Sequence, residues 1–127
     1  MIARAAIAIA ALLVAVWLVS GLRPVRDERA GIAAVQAKDV PRGYRLLERA
    51  AAHTRSTQPD LRLAQLDAFA KRPDRAVRRL QALVRHEPEN YDAWLLLAQT
   101  ARTVDPPLAA RARARARVLS PPVPLDR

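Results

Sequence analysis

The segment 86-HEPENYDAWLLLAQ-99 begins with the His-Glu pair that opens one type of zinc site. In that site, HExxH places two imidazoles on one face of a helix, where both can bind the ion, and supplies a glutamate as base. Here Asn90 stands where the second histidine is required, and Pro88 disfavours a helix through this position. The other histidine, His53, has no acidic or histidine neighbour at ligand spacing. The sequence therefore predicts no metal site, and the segment needs another explanation.

The sequence also shows no recognisable set of catalytic side chains. General acid–base chemistry needs paired carboxylates or a histidine in a pocket. The acidic residues stand mostly at expected helix starts, as at Asp60, Asp74 and Asp105, where the helix dipole favours a carboxylate without any catalytic role. Three scattered glycines form no phosphate-binding loop, and the chain has no cysteine. We therefore expect a protein that is not an enzyme and uses no cofactor.

The N-terminal segment has the composition of a membrane anchor. Residues 5–22, AAIAIAALLVAVWLVSGL, carry no charge, with Trp17 near one end and Arg23 and Arg26 just beyond it. This length can cross a bilayer as a helix. We expect residues 1–22 to form a single-pass anchor in the cell membrane; a cleaved signal peptide is the alternative. The positive-inside count favours a cytoplasmic position for the remainder, with the opposite side as the other option.

The pattern of the remaining residues predicts helices joined by short loops. Strand signals are weak, whereas Pro59-Asp60, Pro73-Asp74 and Asp105-Pro106 each join a helix breaker to a good N-cap residue. We predict an all-α fold with six helices, near 26–37, 43–54, 60–71, 74–86, 91–103 and 107–119. Short loops favour antiparallel hairpins. The Pro-rich residues 122–127 are expected to be disordered.

Apolar residues recur at helical spacing in the last four of these helices. The predicted buried faces are Leu61, Ala64 and Phe69 in the third helix, Ala76, Leu80, Leu83 and Val84 in the fourth, Tyr91, Trp94, Leu97, Ala98 and Ala101 in the fifth, and Ala109, Ala112, Ala116 and Leu119 in the sixth. The sixth includes 110-ARARARAR-117, where the alanines form one narrow face and the arginines occupy the rest.

A repeat relates these helices, because the spacing from Ala76 to Ala109 is the same as the spacing from Pro88 to Pro121. Residues 74–121 resemble a tetratricopeptide repeat, with the pattern W-x2-L-G-x2-Y, A-x3-F and a closing Pro. Trp94, Leu97, Ala98 and Ala101 stand at the W, L, G and Y positions, Ala109 opens the next helix, Pro121 closes the unit, and Ala76, Leu80 and Pro88 fit the preceding unit. The chain departs from the pattern in having a period one residue shorter, alanine for Gly and Tyr, and Arg113 at the second aromatic position.

The resemblance implies a short solenoid of about three stacked hairpins over residues 23–121, whose concave surface is built from the first helix of each hairpin. It implies a groove for a peptide or helix of a protein partner, with Asp92, Leu95, Gln99 and Arg102 facing it in the last repeat. The architecture is similar to that of small bacterial membrane-anchored repeat proteins that accompany envelope assembly complexes. The resemblance therefore predicts a membrane-anchored adaptor.

The charge of the chain supports an alternative function. The net charge is +10, and 20 of the 22 basic residues are arginine, which would suit a module that binds anionic lipid or nucleic acid. Arg111, Arg113, Arg115 and Arg117 spread over more than one helix face, and no aromatic residues lie between them to stack on bases. Nucleic acid is therefore the less favoured of these two ligands.

Overall fold

The structure, a computed structural model, describes residues 23–120. Its elements are α1 (residues 23–36), α2 (Val40–His53), α3 (Gln58–Phe69), α4 (Pro73–His86), α5 (Tyr91–Thr100) and α6 (Pro106–Leu119), with no strand in this range. For residues 23–120 the predicted all-α fold with six helices is confirmed. The predicted anchor at 1–22 and the tail at 122–127 lie outside the described residues. Within residues 23–120, no helix combines the length and the hydropathy needed to span a bilayer.

The chain divides into two compact units, with the boundary between Ser56 and Thr57. The described part of the first unit is the α1–α2 hairpin, in which two buried glycines allow the helices to approach closely. A Cβ added to Gly31 would lie 2.9 Å from Leu47 Cγ, and one added to Gly43 would lie 2.8 Å from the Gly31 carbonyl oxygen. Both distances are too short for a real contact, so any side chain at either position would force the helices apart. The predicted stacking of this hairpin on the others stays a prediction.

The second unit contains two antiparallel hairpins, α3–α4 and α5–α6. The hairpins stack because α4 packs against α5, and α3 also contacts α5. The core joins side chains of all four helices, among them Leu61, Ala64, Leu80, Leu83, Leu97, Ala98, Leu108 and Ala112. This is the arrangement expected of helical repeats, in which each hairpin buries its apolar face against the next.

The α1–α2 and α3–α4 loops have the same backbone conformation, built around the only two lysines of the chain. Lys38 and Lys71 have positive φ angles of 66° and 59°, and their spacing in the sequence equals that of Ala76 and Ala109. In each loop the lysine N–H and the next N–H donate to carbonyls three and five residues back, as in the hydrogen-bond pattern of a left-handed helix C-cap. The repeat period therefore extends back into the first hairpin.

The predicted N-caps are correct at α6 and wrong at α3 and α4. Asp105 caps α6, accepting a hydrogen bond of 2.9 Å from the Leu108 N–H. Asp60 and Asp74 instead lie inside the first turns of α3 and α4, because these helices begin one to two residues earlier than predicted. A carboxylate in the first turn is still stabilised by the helix dipole. The fifth helix ends at Thr100 rather than 103, since residues 101–104 form a turn.

Two predicted core aromatics are exposed. Phe69 is 89% exposed at the end of α3, where the interior position is occupied by the fully buried Asp67. Tyr91 is 38% exposed, and Trp94 is only partly buried, because Ala93 is the residue that faces the core at the start of α5. The other predicted faces are confirmed: the four α4 residues, Leu61 and Ala64 in α3, Leu97, Ala98 and Ala101 in α5, and Ala109, Ala112 and Ala116 in α6 are buried, with Leu119 half-buried.

The arginines of α6 occupy a surface that is part of the core in α4. Leu80 and Val84 are buried, whereas Arg113 and Arg117, one repeat later at the same positions of α6, are exposed. In the described part of the chain, α6 is thus the last helix of the stack and has a polar outer face. A helix surface on which no other described helix packs is expected to be polar, which accounts for Arg113 at the expected aromatic position.

Candidate functional site

The four predicted groove residues lie on one side of α5 and in the turn after it. Asp92, Gln99 and Arg102 are exposed and Leu95 is half-buried. At about 100° per residue they fall on the side of the helix opposite to Ala93, Leu97 and Ala101, which are buried. They are therefore available to a partner, and their role in binding stays a prediction.

The equivalent positions of α3 extend this surface. Gln58 and Gln65 lie one family period, about 34 residues, before Asp92 and Gln99, and both are exposed. Arg62 and Phe69 follow them at helical spacing on the same side of α3 and are also exposed. The Arg62 guanidinium Nη1 donates to Gln65 Oε1 at 3.2 Å within this row. Because α3 and α5 are both antiparallel to α4 and contact each other, the two rows run in the same direction. We call Gln58, Arg62, Gln65, Phe69, Asp92, Leu95, Gln99 and Arg102 together the α3–α5 surface.

Phe69 is the most exposed large apolar side chain of the α3–α5 surface, and sequence reasoning placed it in the core instead. Its position in the repeat could have signalled the difference. Asp67 lies two residues before Phe69 and one family period of about 34 residues before Ala101. Asp67 and Ala101 are both buried. The family period therefore assigns the interior position to Asp67 rather than to Phe69.

A groove lies between the start of α3 and α4, and two arginines that line it contact Asp67. The groove has a volume of about 710 Å³ and is lined by Thr57, Asp60, Arg75, Arg78, Arg79, Ala82, Leu83 and His86. Asp67 Oδ2 lies 3.6 Å from Arg75 Nε and 3.7 Å from Arg79 Nε, and Arg79 Nη1 lies 3.1 Å from Asp60 Oδ1. Two arginines of the groove are therefore engaged by carboxylates of α3, which joins the two helices electrostatically.

The HEPEN segment is a junction between three helix ends. Glu87 Oε2 accepts hydrogen bonds from Asn90 Nδ2 (2.8 Å) and from Thr57 Oγ1 (2.7 Å). Thr57 is the N-cap of α3, Glu87 is the C-cap of α4, and Asn90 caps α5 by accepting from the Ala93 N–H. The bonds from Asn90 and then Thr57, with a smaller contribution from His86, lower the pKa of Glu87, although partial burial raises it. Glu87 of the His-Glu pair thus has a structural role here.

The Pro88 carbonyl adds two contacts to this junction. It accepts hydrogen bonds from Trp94 Nε1 (2.9 Å) and from Arg115 Nη2 (3.4 Å). The predicted tryptophan of the repeat motif therefore anchors α5 to the preceding turn, and one of the four α6 arginines connects α6 to it. Among residues 23–120, no three His, Cys, Asp or Glu side chains lie close enough to bind a metal ion.

The second unit is a stack of antiparallel helical hairpins with exposed first-helix surfaces, which is the architecture of a helical-repeat interaction protein. Residues 57–100, covering α3, α4 and α5, match the family model of the tetratricopeptide repeat. The predicted resemblance to this family is confirmed; the match includes residues 74–100 of the predicted segment 74–121, and the repeat character of residues 101–121 stays a prediction. Comparisons with curated proteins and with solved structures found no match. Proteins of this repeat family are generally scaffolds that bind other proteins and do not catalyse reactions.

Proposed function

We propose that this protein is a single-pass membrane adaptor whose repeat domain binds a protein partner through the α3–α5 surface. The observation that carries the proposal is Phe69, 89% exposed beside polar residues on the first-helix side of a tetratricopeptide repeat. Aromatic residues surrounded by polar ones are typical of the few positions that dominate binding energy at protein interfaces. Leu95 adds a second, half-buried apolar contact on the same surface.

The proposed anchor is the uncharged segment 5–22. It is followed by Arg23, Arg26 and Arg29, which favour a cytoplasmic position for the repeat domain by the positive-inside rule. The similarity to membrane-anchored repeat proteins suggests a bacterial envelope assembly complex as the partner. In such a complex the anchor would confine the adaptor to the membrane, where the partner also resides.

Co-purification from detergent-solubilised membranes tests the adaptor function. Phe69→Ala should reduce recovery of the partner about tenfold or more, since truncating an interface aromatic typically costs more than about 1.4 kcal/mol. Val118→Ala is the matched control, because Val118 is also an exposed apolar residue, 68% exposed on α6. Equal recovery of the same partner by the two variants would remove the α3–α5 surface from the proposal.

Thiol labelling tests the membrane topology independently. The chain has no cysteine, so Asp126→Cys introduces a single thiol. A membrane-impermeant reagent should label it only after lysis if the repeat domain is cytoplasmic. Labelling in intact cells with a permeabilised outer layer would place the domain on the other side. Recovery of the protein without membranes would contradict the anchor.

A further inference from the structure

We infer that the α1–α2 hairpin contains a binding site for the phosphate of an anionic phospholipid headgroup. The site is a pocket of about 660 Å³ lined by Arg23, Arg26, Asp27, Arg49 and His53. The inference rests on the proposed membrane anchor for the source of the ligand. It is distinct from the α3–α5 surface, because all five side chains belong to the first unit.

Two distant parts of the sequence meet in this pocket. Arg23, Arg26 and Asp27 share one side of the described part of α1, at i, i+3 and i+4, and Arg49 and His53 are one turn apart at the end of α2. The antiparallel hairpin, in which Gly31 and Gly43 allow close approach of the helices, brings residues 23–27 of α1 beside the end of α2. The pocket is therefore built by the fold and is not a run of neighbouring arginines.

The charges of the pocket favour an anion. Three arginines face a single carboxylate, and no hydrogen bond or ion pair within the described residues engages Arg23, Arg26, Arg49 or His53. Guanidinium groups bind phosphate oxygens through paired, charge-assisted hydrogen bonds. The three arginines and Asp27 leave two positive charges in excess, of which a phosphate ester bearing one negative charge would offset one.

The position along the chain selects a lipid as the source of the phosphate. Arg23 directly follows the uncharged segment 5–22, so the pocket begins where that segment ends. In a membrane-anchored chain this is the depth of the headgroups, where basic side chains bind anionic lipids. A free phosphate in solution would gain no such local concentration.

Native mass spectrometry of the full chain in a non-ionic detergent tests the site with phosphatidylglycerol as the probe. The wild-type chain should retain bound phosphatidylglycerol in preference to phosphatidylcholine, and Arg49→Glu should weaken this retention about tenfold or more. Arg45→Glu is the control, because Arg45 is exposed on the same helix, one turn away, and does not line the pocket. Circular dichroism would establish that both variants remain helical.

Three outcomes would overturn the inference. Equal retention by wild type, Arg45→Glu and Arg49→Glu would show that lipid binds without this pocket, and no preference over phosphatidylcholine would exclude recognition of the negative headgroup. Displacement of the lipid by inorganic phosphate at equal concentration would assign the pocket to a free anion. Because the experiment is made in micelles, a failure of the proposed topology or of partner binding would not change its result.

Discussion

At the scale of single residues, the most consequential side chain is Asp67, a fully buried carboxylate beside Arg75 and Arg79. Its partners are partly exposed, Arg75 by 44% and Arg79 by 22%, so removing Asp67 should cost about 3 kcal/mol, the low end of the range for breaking a buried pair. Asp60 also pairs with Arg79, but its side chain is 38% exposed, and exposed pairs contribute about 1 kcal/mol or less. The two carboxylates therefore differ in importance although they share an arginine.

We predict that Asp67→Ala lowers the free energy of unfolding of the second unit by about 3 kcal/mol. Asp60→Ala should lower it by about 1 kcal/mol at most. Urea unfolding followed by Trp94 fluorescence, in a Trp17→Phe background so that one tryptophan reports, measures both. Similar losses for the two variants would mean that the burial of Asp67 does not determine its contribution.

Glu87 makes the stability of the junction depend on pH. Its pKa in the folded state is lowered below the ordinary value of 4.5, chiefly by the hydrogen bonds from Asn90 and Thr57. A lowered folded-state pKa contributes stability that is fully present above the unfolded-state pKa and is lost as pH falls through the folded-state pKa. The junction should therefore be strongest at neutral pH and weaken only in acid.

We predict that Glu87→Gln destabilises the second unit at pH 7 and that the difference from wild type shrinks as pH falls below 4.5. Glu89→Gln provides the control, since Glu89 is exposed and no hydrogen bond reaches its side chain in the described residues. Urea unfolding at a series of pH values measures the two differences. A Glu87→Gln effect independent of pH would contradict the assigned hydrogen bonds.

At the scale of elements, the α1–α2 hairpin depends on two glycines in helices. Alanine is normally preferred to glycine inside a helix by about 1 kcal/mol, so Gly43→Ala would stabilise an isolated α2. Here the added Cβ would lie against Val35 and 2.8 Å from the Gly31 carbonyl oxygen. Contact with backbone atoms cannot be relieved by a side-chain rotation, and the helices must separate.

We predict that Gly43→Ala increases hydrogen exchange of amides in residues 23–53 and leaves exchange in residues 57–120 unchanged. Ala52→Gly is a useful comparison on the same helix, because Ala52 is exposed and its loss should cost only the helix propensity of about 1 kcal/mol. Exchange measured by mass spectrometry distinguishes the two regions. Slower exchange in the Gly43→Ala hairpin would show that the close approach does not stabilise it.

The number of helices and most of the core residues could be predicted from the sequence. Prolines indicate the loops, and the spacing of apolar residues indicates the buried faces of α4 and α6. The positions of Phe69 and Asp67 could not be predicted from apolar periodicity, and only the family period of the repeat distinguishes them. Periodicity assigns an aromatic residue to the core and an acid to the surface, yet the buried partners of Asp67 come from α4, whose position is set only by tertiary packing. The pocket proposed to bind lipid was not predicted for the same reason, since Arg49 and Arg23 are distant in the sequence and belong to different helices.

At the scale of the whole molecule, the described chain combines two compact units with different surfaces. The first has arginines beside the proposed anchor that form no ion pair with any described residue, and the second has the α3–α5 surface and the polar outer face of α6. In this account the first unit binds the membrane surface and the second binds a protein. The alternative, an arginine-rich module that binds nucleic acid through α6, predicts instead that α6 substitutions impair function most.

The most direct test of this account is photo-crosslinking in cells from single positions of the second unit. A photoreactive residue at Gln99, on the α3–α5 surface, should form a crosslink to one discrete protein, and this crosslink should disappear when Phe69→Ala is added. The same residue at Arg111, exposed on α6, should give no such product. A crosslinked protein obtained equally from both positions, or from Arg111 alone, would contradict the assignment of the α3–α5 surface as the partner-binding site.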